Sequence, residues 1–538
     1  MAALYWHLTR RKVRARNRLR LASADLSFPY RVWMDRTEKQ SEPGEGCLEA
    51  IDKWHWQPRF SVMLHGAEGC TPQERDRSVK SIERQIYPAW TLVDKPVRPI
   101  QKGLTSVEAD FVVPLRVGDS LSRTALFRIA ETLQDSRDAA ILYGDQDQRD
   151  SRGRRRRPWF KPRWNEEMFL ALDFLSGAAA IEQRLAERAA ANARTVGELM
   201  VAAVFGAAGP IVHIPHILAH VAPGSPSESR RLAAVAEAVR PLGATCSPGP
   251  FGTVKVQWPL PEQLPLVSII VPTRDKLNLV RPCLESVRAN TDYGRFEIIV
   301  IDNGSVERRT ADYFDELGRD PRVRVLPRPG PYNFSAINNF AAREARGSYL
   351  CLLNNDTEVI EPRWLTEMMR YAVRPDIGAV GAKLLYADGS LQHAGVVVGV
   401  GGVAGHIHRS LPAGEPGYFC QPHVAQFVSA VTAACLVVDK RKFLAVGGLD
   451  EIELPVAFND VDLCLKLQAA GWRNIYVPHA VLLHHESKSR EKDASPRQIA
   501  RFRRETDVLQ KRWGTQGYDD PLLNPNLDPF SETLVIKV

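Results

Sequence analysis

The 538-residue sequence lacks several features that would assign it to common protein classes. No window of eighteen residues is continuously apolar, which argues against a membrane-spanning helix. The eight cysteines form no CxxC pair and several lie in apolar runs, so we expect buried thiols in a reducing compartment. This pattern disfavours a disulfide framework or a zinc site. No apolar stretch of the kind found in secretory signals follows Met1.

Part of the net charge of +8 comes from one basic run. Residues 10–20 (RRKVRARNRLR) carry seven basic side chains and no acid. Three interpretations stay open: an Arg-rich targeting peptide, a peripheral contact with an anionic membrane surface, and a solvated segment without a binding role. No nucleic-acid-binding motif accompanies the charge, so nucleic acid is not an expected partner. The expected location is the cytoplasm, either free or peripheral to the inner face of the cell membrane.

Proline-rich segments divide the chain near residue 255. SPGPFG and PLPEQLPL follow each other there and indicate an extended connector. The predicted organisation is an irregular basic lead-in, a first domain, a proline-rich linker, a second domain, and a C-terminal helix with a tail. Their predicted bounds are 1–58, 59–250, 251–266, 267–490 and 491–538.

Apolar strands alternate with amphipathic helices in the second domain, which predicts an α/β fold with a mostly parallel, doubly wound sheet. Strands such as VSIIV and EIIVI are continuously apolar, as expected for strands buried on both faces. AGVVVGVGGVAG (394–405) is predicted to be a loop or a strand pair. Strands are expected at 267–271, 296–301, 322–326, 348–353 and 377–385, and helices at 277–289, 308–317, 334–345, 362–373 and 496–513.

The two domains look like a diverged repeat. Asp119 to Tyr143 and Asp356 to Val380 both span 24 residues. However, Asp94 to Asp119 spans 25 residues whereas Asp302 to Asp356 spans 54. The first copy is therefore expected to lack the strand and helix of 322–347.

Polar residues follow the central strands, at the place where open α/β sheets bind ligands. Asp356 in LLNNDTEV can hold a divalent cation, which would clamp a diphosphate; a strand-end turn or a helix N-cap is its structural alternative. His484 or His485 in LLHHES would add a ligand that suits Mn²⁺ better than Mg²⁺. Asp460 is predicted in the first turn of a helix with Asn459 as its N-cap, where a carboxylate also suits the helix dipole. Asp462 points elsewhere and is expected to support the loop or the helix end.

Taken in order, VSIIVPTRD, EIIVIDNGS, YLCLLNNDTEV, GGLDE, FNDVDLCLKL and LLHHES resemble the family 2 glycosyltransferases. The resemblance implies a GT-A fold, an inverting reaction, and a tandem architecture like that of O-antigen and polysaccharide rhamnosyltransferases. It implies Asp356 and His484 as ligands of Mg²⁺ or Mn²⁺, with only one carboxylate in the motif, and Asp460 as general base. Asp302 could accept from a pyrimidine N3–H. The expected nucleotide-binding residues are Pro272, Thr273, Asp275, Asp302, Asn303, Asn338 and Asn355, and the expected acceptor-binding residues are Gly448, Asp450 and Glu451.

The predicted function is transfer of a sugar from a UDP- or dTDP-linked donor to a saccharide or lipid-linked saccharide in cell-surface polysaccharide synthesis. One alternative is a non-catalytic carbohydrate-binding or scaffold protein on the same fold. Another is a sugar nucleotidyltransferase, which would place a glycine-rich basic loop after the first strand, whereas TRDKLN has no glycine. The first domain keeps Asp119, Glu198 and His220 but has Met200 where the second has Asp462, so it is expected to be non-catalytic.

Overall fold

The computed structural model describes residues 27–41, 47–66, 70–94, 104, 108–150, 152–191, 193–222, 228–485 and 495–538. The chain forms two compact units that divide between Val256 and Gln257. The N-terminal unit runs up to Val256 and also includes Asn524–Asp528 and Val535–Val538. The C-terminal unit comprises Gln257–Leu523 and Pro529–Leu534. The division lies inside the segment predicted as a linker.

The N-terminal unit is built on a sheet with strand order β2-β1-β3-β7-β5-β8-β4, with β6 paired to β5. A separate pair, β9 and β10, follows it. The strands are β1 Phe60–His65, β2 Trp90–Val93, β3 Phe111–Arg116, β4 Ser120–Leu121, β5 Ile141–Arg149, β6 Arg155–Trp159, β7 Ala179–Glu182, β8 Ile211–Val221, β9 Thr245–Pro248 and β10 Val254–Gln257. The helices after the first strand are Pro72–Glu83, Ala125–Asp135, Glu166–Ala171, Gln183–Ala189, Val196–Gly206 and Glu228–Val239, with short 3₁₀ turns at Arg240–Leu242 and Pro250–Gly252.

The C-terminal unit has a larger sheet with strand order β13-β12-β11-β14-β21-β16-β22-β15. β17 adds to β16 and β20 adds to β22, while β18 and β19 form a separate hairpin. The strands are β11 Val267–Thr273, β12 Phe296–Asp302, β13 Val323–Pro327, β14 Tyr349–Leu353, β15 Thr357–Val359, β16 Ile377–Leu385, β17 Leu391–His393, β18 Val396–Val398, β19 Ala404–His406, β20 Gln426–Val428, β21 Cys435–Asp439 and β22 Arg473–His484. The helices are Leu277–Ala289, Arg308–Leu317, Phe334–Glu344, Trp364–Ala372, Lys440–Ala445, Asn459–Ala469 and Pro496–Trp513, with 3₁₀ segments at Val400–Gly402, Tyr418–His423 and Thr515–Gly517.

Most strands on the main path of this sheet run in one direction. β13, β12, β11 and β14 pair in parallel, and so do β16 and β22. β21 runs antiparallel between β14 and β16, and β15 runs antiparallel to β22. All residues of β11 and of β16 are buried, because helices cover both faces of a doubly wound sheet. Each buried Val, Ile or Leu side chain contributes about 1.5–3 kcal/mol to folding. The predicted α/β fold is confirmed.

The two units share one topology. The order β2-β1-β3-β7-β5-β8-β4 matches β12-β11-β14-β21-β16-β22-β15, and the pairs run parallel or antiparallel in the same places. Among the described residues, the N-terminal unit has no strand that corresponds to β13. The prediction of two tandem copies with a shortened first copy is therefore confirmed.

The prediction of an irregular lead-in through residue 58 is wrong for the part that the structure describes. Ser27–Trp33 is an α-helix, Met34–Glu38 a π-helical turn, Lys39–Ser41 a further helical turn and Cys47–Asp52 another helix. Tyr30 and Trp33 are buried and pack against Phe160. A helix of seven residues is too short to show a clear apolar period, so tertiary packing by two aromatic rings determines its position. The basic run at 10–20 lies outside the described residues.

Within the part of the chain that the structure describes, no helix is both long enough and apolar enough to cross a membrane. The glycine-rich segment 394–405 contains β18 and all of β19 except His406, and Val397 pairs there with Gly405. This segment is thus the strand pair that the sequence allowed.

Candidate active site

Three strand ends of the C-terminal unit bring predicted site residues together. Asn355 and Asp356 follow β14, and the Asn355 amide donates to Thr273 Oγ1 at the end of β11 over 2.9 Å. Asp356 Oδ1 lies 3.2 Å from His484 Nε2 at the end of β22. Pairing of β15 with β22 sets this contact, because Thr357 and His484 are direct partners in the antiparallel ladder. The structure therefore brings Thr273, Asn355, Asp356 and His484 together at one edge of the sheet, where all four are buried.

Gln392 orients the His484 ring. Its Oε1 lies 3.0 Å from His484 Nδ1, a distance at which an amide oxygen accepts a proton carried by that nitrogen. The other ring nitrogen, Nε2, lies 3.2 Å from Asp356 Oδ1 and 3.4 Å from the Asn354 amide. A hydrogen-bond partner on the remote ring nitrogen is the usual support of a metal-binding histidine. Gln392, in LQHAG, carries no motif signal that sequence reasoning could have used.

The Asp356–His484 pair fits a divalent cation in its donor chemistry and spacing. Adjacent ligands of an octahedral ion with bonds of about 2.1 Å are about 3 Å apart, close to the observed separation. Among the described residues, no group of three or more His, Cys, Asp and Glu side chains is arranged to hold a metal ion. A cation here would have two protein ligands and would complete its shell with water and with phosphate oxygens, as Mg²⁺ does at nucleotide sites.

Asp460 lies in the first turn of the helix Asn459–Ala469 and is half-buried. Its Oδ2 accepts from Ala433 N at 3.0 Å and its Oδ1 accepts from Val461 N at 2.9 Å. The neighbouring residue Ala434 accepts from Asn354 N at 3.1 Å, so the backbone of 433–434 links the base candidate to the end of β14.

The environment of Asp460 favours a stronger base than an ordinary aspartate. Burial raises the pKa of Asp460, and hydrogen bonds from Ala433 N, Val461 N and the Thr432 side chain offset only part of that rise. A raised pKa increases the proton affinity of the carboxylate near working pH. The prediction that Asn459 caps this helix is wrong: the N-cap is Phe458 in a left-handed conformation, and the Asn459 amide donates to Val456 O.

Asp462 is fully buried and supports the structure, as the sequence predicts. Its Oδ1 accepts from Arg512 Nη1 at 2.8 Å and from Trp513 Nε1 at 2.9 Å, and its Oδ2 lies 3.1 Å from Lys466 Nζ. Asp450 belongs to the same network through Arg512 Nη2 at 2.8 Å. These contacts fix the start of the helix Asn459–Ala469 to the end of the helix Pro496–Trp513.

The loop that carries the predicted acceptor-binding residues is held by Asn339. Its amide nitrogen donates to Leu449 O and to Glu451 Oε1, and its oxygen accepts from Leu449 N. Gly448 has φ +65°, and a Cβ there would lie 2.5 Å from Asn339 Oδ1. Gly448 therefore permits a close packing that other residues would prevent.

Several of the predicted nucleotide-binding residues hold the loops after β11 and β12 in shape. Asp302 Oδ1 accepts from Ser305 N at 2.8 Å, and the Asn303 amide donates to Arg328 O, so both shape the turn after β12. Asp275 accepts from Val306 N and Glu307 N and locks the loop after β11 to this turn. Pro272 lies inside β11 opposite Ile301.

Asn338 is fully buried, and its amide donates to Phe334 O one turn earlier in the helix Phe334–Glu344. In this structure Asn338 is thus a buried residue whose amide bonds within its own helix. His485, the alternative metal ligand, has its Nε2 2.7 Å from Glu358 Oε1 and faces a different carboxylate.

The corresponding positions of the N-terminal unit are engaged differently. Asp119 accepts two hydrogen bonds from Arg116 and one from Ala222 N. His220 pairs with Asp147 at 2.7 Å instead of with Asp119. Glu198 accepts from Arg194 N within its own helix start. The three side chains that could repeat the metal pair and the base are thus each bound to another partner.

Comparison with known proteins agrees with this geometry. The profile described as Glycosyl transferase family 2 matches residues 268–412. An uncharacterized protein, y4gI, of Sinorhizobium fredii is 42% identical over 440 residues, which cover 78% of this chain and 48% of the relative. The O-antigen biosynthesis protein RfbC of Myxococcus xanthus is 34% identical over 452 residues, covering 80% of this chain and 34% of the relative. The chain thus spans about half the length of the first relative and about a third of the second.

A shorter relative is covered more completely. The N-acetylglucosaminyl-diphospho-decaprenol L-rhamnosyltransferase of Mycobacterium tuberculosis is 37% identical over 219 residues, covering 36% of this chain and 68% of the relative. With its profile match, its relatives and its strand-end site, the chain belongs to glycosyltransferase family 2.

Proposed function

We propose that the C-terminal unit is an inverting glycosyltransferase that moves a sugar from a nucleoside-diphosphate sugar to a saccharide acceptor in cell-surface polysaccharide synthesis. The observation that carries the proposal is the edge of the sheet where Asp356 contacts His484 and where backbone hydrogen bonds connect the end of β14 to Asp460. Asn354 N donates to Ala434 O over 3.1 Å, and Ala433 N donates to Asp460 Oδ2 over 3.0 Å.

Asp460 is the proposed general base. Each of its two oxygens accepts one backbone N–H, from Ala433 and from Val461, and these two hydrogen bonds fix the orientation of the carboxylate. Its position in the first helical turn and its raised pKa allow the carboxylate to take that proton as the hydroxyl oxygen attacks the anomeric carbon. No second carboxylate nucleophile is needed, so a single displacement inverts the anomeric centre.

Asp356 and His484 are the proposed ligands of Mg²⁺ or Mn²⁺. The bound cation would neutralise charge on the departing diphosphate. On the other side of Asn355, Thr273 and Asp302 are proposed to face the nucleoside; Asp275, Asn303 and Asn338 hold this region in shape. Gly448, Asp450 and Glu451 form the proposed acceptor side.

The donor and acceptor classes are proposed from the relatives. One relative is an O-antigen biosynthesis protein, and another is named for L-rhamnosyl transfer to N-acetylglucosaminyl-diphospho-decaprenol. We therefore propose a UDP- or dTDP-linked donor and a saccharide acceptor carried on a lipid diphosphate.

The test is a screen of the full chain against UDP- and dTDP-sugars with Mn²⁺ or Mg²⁺. Release of nucleoside diphosphate is measured with and without a lipid-linked saccharide. Asp460→Asn should lower transfer by about 10²–10⁴-fold and leave nucleoside diphosphate binding unchanged. A matched control is Asp439→Asn, which makes the same change at the N-cap of the helix Lys440–Ala445, beside the start of β14 rather than its end.

Two results would contradict the proposal. If Asp460→Asn transfers at the normal rate, the base is another residue. If the unaltered protein binds saccharide but consumes no sugar nucleotide in the screen, a carbohydrate-binding scaffold is the better description. For the N-terminal unit we propose a non-catalytic role, because Asp119, Glu198 and His220 are bound to other partners.

A further inference from the structure

A basic cavity of about 620 Å³ opens in the N-terminal unit. Its basic lining consists of Arg77, Lys80, Arg84, Arg123 and Arg149, and His220 also lines it. Arg77, Lys80 and Arg84 are spaced by three and four residues along the helix Pro72–Glu83 and its C-cap, so they share one helix face. Cations from that helix, from the loop after β4 and from the end of β5 thus converge on one space.

The charge in the cavity is poorly balanced by the protein. Asp76 is the one carboxylate among the described residues that line the cavity, and it pairs with Lys80 at 2.7 Å. Arg77, Arg84, Arg123 and Arg149 form no ion pair in the described part of the chain. Arg149 Nε is buried and has no hydrogen-bond partner among the described residues. Burial lowers the pKa of Arg149, and Arg155 and Arg77 lower it further, although Asp147 opposes them. A bound anion would relieve this repulsion.

The cavity lies where a ligand would be expected in this topology. Arg149 is the last residue of β5. His220 is the second-last residue of β8 and pairs with Ser120 of β4. In the C-terminal unit the corresponding strands β16, β22 and β15 include His484, the proposed metal ligand. Asp119, the counterpart of Asp356, is already bonded to Arg116. Guanidinium groups therefore supply the positive charge that a cation is proposed to supply in the second copy.

We propose that this cavity binds a diphosphate group, carried either on a prenyl lipid or on a nucleoside. The planar fork of an arginine matches phosphate oxygens, and several arginines around one cavity suit an anion with more than one charge. The volume lies within the range of about 300–1,000 Å³ that is usual for small-ligand sites. The inference concerns the N-terminal unit alone, and its test does not require the proposed transfer reaction.

The test measures binding by the full chain in EDTA, which removes divalent cations and separates this site from a metal-dependent one. Inorganic pyrophosphate is titrated calorimetrically, with sulfate as the reference anion, followed by farnesyl diphosphate and UDP. Pyrophosphate should bind more tightly than sulfate. The double variant Arg77→Gln/Arg149→Gln should bind pyrophosphate more weakly, by about tenfold or more for each guanidinium removed. The single variant Arg84→Gln, which changes an exposed residue, should weaken binding without affecting the thermal unfolding midpoint.

Arg240→Gln is the matched control, since Arg240 is exposed in the same unit and does not line the cavity. Tighter binding of farnesyl diphosphate assigns the lipid source, and tighter binding of UDP assigns the nucleotide source. The proposal is overturned if pyrophosphate binds no better than sulfate, or if the cavity variants bind it as well as the Arg240→Gln control does.

Discussion

Neutralising Asp462 should destabilise the C-terminal unit without removing a catalytic group. Asp462→Asn keeps the shape of the side chain but removes its charge, and its new amide would meet the donors that now face the carboxylate. The interaction with Arg512 is 2.8 Å long and that with Lys466 is 3.1 Å long. A hydrogen bond to a charged group contributes about 1.5–3 kcal/mol when buried. The two cations remain partly exposed and Arg512 keeps Asp450, so the expected loss is about 3 kcal/mol in the free energy of unfolding.

The assay is urea unfolding of the full chain, followed by a probe in the C-terminal unit, for Asp462→Asn, Arg512→Gln and the double variant. Because the two residues are in direct contact, the double-mutant cycle should give a coupling energy of about 1–3 kcal/mol. Asp460→Asn is the comparison. It should change the free energy of unfolding by no more than about 1 kcal/mol. Removing a carboxylate charge that burial disfavours offsets the loss of a backbone hydrogen bond.

A destabilisation below about 1 kcal/mol together with a coupling energy near zero would show that the buried network contributes no net stability. If Asp462→Asn were stable but inactive while Asp460→Asn transferred normally, the structural and catalytic roles of the two carboxylates would have to be exchanged.

Three further outcomes are expected. Gly448→Ala should destabilise the protein by at least about 1–2 kcal/mol in urea unfolding, since φ is +65° and the new Cβ would lie 2.5 Å from Asn339 Oδ1; an unchanged midpoint would show that the loop relaxes freely. The rate of transfer should fall as pH decreases through the raised pKa of Asp460, so its acid limb should lie above about 3.9, the value for an ordinary aspartate, and a limb at that value would contradict the assignment. Gln392→Ala should weaken Mn²⁺ activation by about 10–100-fold because His484 loses the partner of its Nδ1, whereas unaltered Mn²⁺ dependence would remove Gln392 from the site.

The helices and strands of the second copy are predicted closely because the apolar periodicity of its sequence matches the faces that are buried in the structure. The helices Leu277–Ala289 and Arg308–Leu317 and the strand β16 have the bounds that the apolar pattern predicts. These elements combine a clear period with recognisable ends, and their apolar residues face a sheet that is covered on both sides. The strand-end positions of Asp356 and His484 follow from the same pattern.

Contacts between segments that are distant in the chain could not be predicted from the sequence. Gln392 approaches His484 across 92 residues, and Asn339 reaches Leu449 across 110. No local motif encodes either contact. Phe458 adopts a left-handed conformation that favours glycine or asparagine, so the helix start at Asn459 is fixed by tertiary packing rather than by capping propensity.

The two copies show that the sheet and its chemistry are separable. The order of strands depends on many buried apolar side chains, so it withstands individual substitutions. The proposed chemistry depends on a few polar contacts at strand ends. Each contact is lost when one of its two side chains bonds to a different partner. In the first copy Asp119 accepts from Arg116 and His220 pairs with Asp147. The sheet is intact, but among the described residues no Asp–His pair corresponds to Asp356 and His484. Arg149 at the end of β5, with Arg77, Arg84 and Arg123 from a neighbouring helix and loop, instead lines the cavity that we propose binds a diphosphate.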